Sequence, residues 1–259
     1  MRLADLSWPE IGQRAVAGAV LAVPVGSTEQ HGPHLPLSTD TDIAVALCDR
    51  LAAARPDVLV APPVSVGSSG EHAGFPGTLS IGPGALELLL VELARSASLT
   101  FGRLVVVSAH GGNAAPVARA AAELAQESRK VLLFQPRWDG DPHAGHPETS
   151  IMLHLDPARV HMDRAVPGDT RPLAEIWPQL RAAGVRAVSE TGILGDPTGA
   201  TAEAGRALLD ALAADLISDV TAWLPVLARG DDPPLCSPGG LPPEPPAPDR
   251  RSAARRTAK

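Results

Sequence analysis

Apolar positions along this chain follow two rhythms. Short runs at 20–25, 58–60, 103–108 and 131–134 are apolar almost throughout and rich in valine and leucine, the mark of strands buried on both faces. Elsewhere apolar residues recur every three or four positions. Ile43, Ala44, Leu47 and Leu51 predict a helix over 41–54, and Leu86, Leu89, Leu90 and Leu93 one over 85–99. Further helices are expected over about 113–126, near 173–183 and, long and amphipathic, over 202–224. Ser7 ahead of Trp8-Pro9-Glu10 marks a short N-terminal helix, with serine as cap and proline in the first turn. Strands alternating with helices predict an α/β fold with a mostly parallel sheet flanked by helices.

The pattern stops near 229. Beyond it, prolines from Pro233 to Pro248 alternate with charges and the chain finishes in an arginine-rich stretch. Such a composition buries too little apolar surface to order itself. The reading is one domain over 1–228 and a disordered Pro/Arg-rich tail over 229–259.

A length of 259 residues with 44% hydrophobic and 20% charged residues supports a full core. Aromatic residues make up only 3%, tyrosine is absent and the net charge is −7, which argues against base stacking and a nucleic-acid partner. No apolar run reaches membrane-spanning length, and the first residues lack the charged-then-apolar order of a signal peptide. No membrane partner and a cytoplasmic location are therefore expected. Cys48 in a predicted helix and Cys236 in the tail suggest neither a disulfide framework nor a four-cysteine metal site.

The chemistry gathers in loops that follow strands. After the first comes Gly26-Ser27-Thr28-Glu29-Gln30-His31-Gly32-Pro33-His34-Leu35-Pro36, then Asp40 at or before the next helix. Glu29 and His31 lie two apart, so an extended backbone points both to one side. Oxygen and nitrogen donors of this kind suit a borderline divalent ion such as zinc, iron or manganese. His34 reads as a structural imidazole that caps the following helix. The glycine-rich stretch 67–78 contains Ser69, Glu71 and His72, ends without a phosphate-loop lysine, and offers backbone N–H groups to a ligand. His110 follows the third predicted strand, ahead of Gly111 and Gly112, where open α/β sheets place their ligands. His143, His146 and Glu148 follow the fourth, with Glu148 near a helix start, where a carboxylate also complements the macrodipole.

Taken with Phe75-Pro76-Gly77-Thr78, Ser108-Ala109-His110-Gly111-Gly112-Asn113 and His143 to Ser150, in that order, these stretches resemble the creatininase family over most of 15–225. The narrower likeness, carried by Ser69 to His72, Gly140 to His146 and the stretches 187–190 and 195–198, is to the branch that trims modified mycofactocin precursor peptides. The resemblance implies a three-layer α/β/α sandwich, assembled as a homo-oligomer that is hexamer-like in the family's manner. It also implies two divalent metal ions per subunit, zinc and/or iron(II) with manganese as a third choice.

Carried over by position, Glu29, His31, Asp40 and His110 match metal ligands, with Asp40 as the bridge. Where creatininase has a carboxylate two residues after that histidine, this chain has Gly112, so the fifth ligand is expected from Glu148. Ser69, Glu71 and His72 fall on the substrate side, and His143 and Glu148 are the expected catalytic groups. The implied reaction is hydrolysis of an amide in a modified ribosomal precursor peptide, releasing its C-terminal cross-linked Val–Tyr-derived dipeptide. A small cyclic amide or formamide would suit the same centre, and Gly112 would suit a non-catalytic metal-binding peptide carrier. A serine nucleophile has no support, because no Gly-x-Ser-x-Gly elbow is present.

Overall fold

The computed structural model describes residues 1–227; the tail expected over 229–259 lies outside the described residues. Four strands, β1 (Val20–Val25), β2 (Val58–Val60), β3 (Leu104–Ser108) and β4 (Val131–Phe134), form one sheet in the order β2-β1-β3-β4. Every pairing is parallel, with Leu21 opposite Leu104 and Val20 opposite Val58. The described residues hold seven α-helices, α1 (Trp8–Val16), α2 (Thr39–Ala54), α3 (Pro83–Ala97), α4 (Ala114–Gln126), α5 (His146–Leu155), α6 (Leu173–Ala183) and α7 (Ala202–Leu227), all flanking the sheet except α6, which packs with Phe75 and Val185. Ser7 and Glu10 form the expected capping box at α1.

Strand alternation explains the layering. Val20 and Ala22 of β1, with Val105 and Val107 of β3, face one core that holds residues of α2, α5 and α7. Leu21, Val23 and Val25, with Leu104 and Val106, face the opposite core with residues of α3 and α4. Both faces are covered, so the central strands carry no polar side. The expected α/β/α sandwich is the observed fold. Gly205 lets α7 cross α5 closely, since a Cβ there would lie 1.8 Å from the Ser150 carbonyl oxygen. A Gly205→Ala protein should lose roughly 1–3 kcal/mol of stability from overpacking, read as a lower midpoint in urea with the slope unchanged.

Topology also selects the site. The chain leaves β1 for α2 on one face and leaves the adjacent β3 for α4 on the other. Their connections diverge and open a crevice beyond the carboxyl ends of these strands. No described helix is long and apolar enough to cross a membrane.

One boundary and one cap differ from the sequence reading in ways that matter. Helix α2 begins at Thr39, which puts Asp40 inside its first turn; Asp40 makes no capping bond and instead accepts the Ser27 hydroxyl at 2.6 Å. His34 caps no helix either: its Nε2 pairs with Thr149 Oγ1 of α5 at 2.8 Å. It is a buried structural histidine, and burial beside His31 lowers its pKa to about 4.

Candidate metal centre

The loops after β1 and β3 bring their donors together in the crevice. His110 Nε2 lies 3.0 Å from Glu29 Oε2, and its Nδ1 lies 3.2 Å from Asp40 Oδ2. The other Asp40 oxygen, Oδ1, lies 3.3 Å from His31 Nε2. Asp40 thus turns one oxygen toward each imidazole, as a bridging carboxylate must. From the loop after β4 and the start of α5, Glu148 Oε2 comes within 3.9 Å of His31 Nε2. Among the described residues three donor sets fall within 4.8 Å: Glu29–Asp40–His110, His31–Asp40–Glu148 and Glu29–His31–His143. The first two share Asp40.

Glu29 decides how this cluster is to be understood. Its side chain is fully buried, and neither carboxylate oxygen has a hydrogen-bond partner. An orphaned buried carboxylate is costly, yet imidazole nitrogens stand about it at 3.0–3.9 Å. Donors that crowd together without hydrogen-bond alignment are aimed at a common point. The nitrogen and oxygen set fits zinc, iron or manganese.

The electrostatics agree. Burial opposes a charged His31, but Asp40, Glu148 and Glu29 outweigh it and raise the imidazole to about 10. Burial likewise opposes a charged His110, and Glu29, Asp40 and Glu71 raise it well above the ordinary histidine value. Asp40 is driven the other way: burial raises it, but His31 and His110 hold it well below the usual carboxylate range. Glu148 rises to about 7 through burial and nearby Asp40, against the pull of His31. His143 and His72 are both lowered, first by burial and then chiefly by other imidazoles for His143, and both rings are neutral near pH 7. A pocket with this much negative charge holds protons until a cation displaces them.

Small residues let the loops meet. A Cβ on Gly26 would lie 2.4 Å from Thr41, and one on Gly67 would lie 2.6 Å from Asn113 Oδ1. Asn113 ties these loops, accepting the Ser68 N–H at 2.8 Å and donating to the Gly26 carbonyl at 2.9 Å. Ala144 adopts φ +52°, a left-handed conformation that non-glycine residues rarely hold, and its N–H donates to Glu148 Oε2.

Ser69, Glu71 and His72 sit on the rim of the same cluster. Ser69 Oγ lies 3.5 Å and Glu71 Oε1 3.3 Å from His110 Nε2, and His72 Nε2 lies 3.2 Å from Glu29 Oε1. The Glu71 carboxylate fills the space over Gly112, where a Cβ would approach it to 2.0 Å and His110 Nε2 to 2.5 Å. A Gly112→Ala protein should therefore bind its cation about 10–100-fold more weakly, as displaced ligand supports do, measured by chelator competition. The amides expected to grip a ligand are partly committed: those of Ser68, Ser69, His72 and Ala73 donate to Asn113, Ser80, Ser69 and Gly70.

Known proteins resemble this chain in sequence and fold. The family model described as Creatininase, creatinine amidohydrolase, matches residues 4–220. The chain belongs to the creatininase family. Membership makes it a metal-dependent amide-hydrolysing enzyme. It is 52% identical over 214 residues to a mycofactocin precursor peptide peptidase of Mycolicibacterium smegmatis, covering 80% of this chain and 86% of that protein. To a creatinine amidohydrolase of Pseudomonas putida it is 32% identical over 212 residues, 67% of this chain and 80% of that one. A creatininase structure in a manganese form superposes with a TM-score of 0.73 at 26% identity, covering 86% of this chain and 98% of the other. A Zn–Zn form of a creatininase variant gives the same values.

Within this creatininase-family site, sequence reading missed three residues. Asn113 is one. Asp141 is another: its Oδ2 accepts the N–H groups of His146 at 2.8 Å and Asp196 at 2.9 Å, stapling the loop before α5 to the loop at 195–198. The third is Gln30, hidden between two donors of the first motif. The close glycines beside each, Gly67, Gly145, Gly195 and Gly192, were the available signal.

Proposed function

We propose that this protein hydrolyses an amide bond of a modified ribosomal precursor peptide, releasing its C-terminal cross-linked Val–Tyr-derived dipeptide. The likeness to mycofactocin precursor peptide peptidases supports the substrate. The observation that carries the chemistry is the buried, unpartnered Glu29 carboxylate beside an Asp40 whose two oxygens face different imidazoles. Glu29, Asp40 and His110 would hold one divalent cation, and His31, Asp40 and Glu148 a second, Glu148 standing in for the carboxylate that Gly112 lacks. Cations bound there supply Lewis acidity and a water acidic enough to attack near neutral pH.

The protein's own groups manage the rest. Hydrolysis delivers a hydroxyl to the carbonyl carbon and a proton to the departing nitrogen. His143, neutral and beside Glu29, accepts the first proton and returns it to the leaving amine. Glu148, which keeps its proton up to about 7 in the metal-free protein, would give it up to serve as a ligand. Ser69, Glu71 and His72 line the approach to His110 and Glu29 and contact the substrate there. Zinc, iron(II) and manganese all suit the donors, and the active form is a homo-oligomer, hexameric in the reading drawn from the family.

The test is incubation of metal-loaded protein with the radical-enzyme-modified precursor peptide, followed by mass spectrometry. A C-terminal dipeptide fragment that disappears with chelation is expected. An intact peptide at full metal loading rules the reading out. A second reading, hydrolysis of a small cyclic amide, draws on the Pseudomonas creatinine amidohydrolase likeness; turnover of creatinine with no peptide cleavage would select it.

A further inference from the structure

Gln30 is buried at the centre of the site, 5% exposed, and its carboxamide touches three separate loops. Two backbone groups of fixed polarity orient it. Its Oε1 accepts the Gly32 N–H at 2.9 Å, and its Nε2 donates to the Gly192 carbonyl at 3.0 Å. That Nε2 also lies 2.9 Å from His72 Nδ1 and 3.0 Å from His143 Nε2. An amide nitrogen has two hydrogens and cannot serve three acceptors.

The backbone of Gln30 resolves the choice. Its carbonyl, an acceptor only, lies 2.9 Å from His143 Nε2. Only one distribution of hydrogens gives every oxygen a donor, and it leaves the approach of Gln30 Nε2 to His143 Nε2 as an unbonded contact between two donors. His143 Nε2 carries a hydrogen to the Gln30 carbonyl, and the Gln30 amide donates to Gly192 and to His72 Nδ1. In the neutral rings His143 Nδ1 is then bare, 3.9 Å from Glu29 Oε1, while His72 carries its hydrogen on Nε2, 3.2 Å from that same oxygen.

We propose that Gln30 is a positioning residue that gives the two imidazoles opposite polarity toward the reacting centre, His72 as donor and His143 as acceptor. This rests on the amide-hydrolysis reading for its purpose but not for its geometry. An acceptor nitrogen is what a proton shuttle needs, and an N–H edge turned toward Glu29 Oε1 sets partial positive charge beside that carboxylate without bonding it. Gly192 belongs to the device: at φ +80° it has no Cβ, and one would lie 1.9 Å from Gln30 Oε1. The loop bearing Gly192 is thereby joined to the first motif through the Gln30 amide.

The experiment is nitrogen-15 NMR of the zinc-loaded full chain labelled in histidine, beside the Gln30→Glu protein. In the wild type both His72 and His143 should carry hydrogen on Nε2 with Nδ1 unprotonated. Gln30→Glu replaces the donor to His72 Nδ1 with an acceptor, so His72 should move its hydrogen to Nδ1. On the modified peptide, kcat should fall about 10²-fold or more through loss of an ordered acid–base pair, with KM within about threefold and zinc content unchanged. Hydrogen on Nδ1 of either ring in the wild type overturns the inference, as does an unchanged His72 tautomer in a folded Gln30→Glu protein. If that variant does not fold, the wild-type spectrum alone decides. Wild-type tautomers as expected with no peptide cleavage would sink the substrate reading and leave the role of Gln30 standing.

Discussion

Replacing Asp40 with alanine should remove both cations and reduce amide turnover by on the order of 10³-fold or more. The size follows from what the centre supplies: several kcal/mol of charge stabilisation, at about 1.4 kcal/mol for each factor of ten. Asp40 is the one residue shared by the two donor sets that hold His110 and Glu148, so its loss opens both. The fold should survive. Helix α2 is anchored by Ile43, Leu47 and Leu51, all fully buried, and Asp40 makes no capping bond that its first turn would miss. The measurements are metal per chain by elemental analysis, circular dichroism and turnover. Asp40→Asn separates charge from shape, since the amide oxygen still accepts the Ser27 hydroxyl while the negative charge is gone. Two ions per chain and ordinary turnover in Asp40→Ala would end the two-cation account.

How far the sequence foretold this centre depends on the kind of residue. Strands and helices were legible because burial on both faces makes β1 and β3 apolar almost throughout, and because the faces of α2 and α3 repeat at helical spacing. Glu29, His31, Asp40 and His110 were legible as chemistry because carboxylates and imidazoles in loops after buried strands have few structural reasons to be there. Gln30 and Asn113 were not, since a neutral amide in a loop looks like any other polar residue until its partners are known, and those lie, Gly32 apart, 42–162 positions away for Gln30 and 45–87 for Asn113. The placement of Glu71 over Gly112 was hidden for the same reason: nothing local to either residue announces the other.

Metal binding should be strongly linked to pH, strengthening by about tenfold per pH unit for every proton displaced. In the metal-free protein His31 keeps its proton up to about 10, His110 also holds one well above the ordinary value, and Glu148 is protonated up to about 7. A cation must displace these. At pH 7 more than one proton should leave per chain on zinc binding, read by calorimetry in two buffers of different ionisation heat. The sign for stability runs the other way. A raised imidazole pKa stabilises the metal-free fold fully below the ordinary histidine value of 6.5 and loses that contribution as pH climbs through about 10. For Glu148, ionising a buried carboxyl becomes costly between 4.5 and about 7, so stability again declines as pH rises. The metal-free protein should therefore melt lower at pH 9 than at pH 6, and the zinc-loaded protein, whose ligands no longer need protons, should melt higher at pH 9 relative to it. Proton release near zero at pH 7, with melting temperatures that move together in the two forms, would mean that the acidic cluster around Asp40 is not where the cation binds.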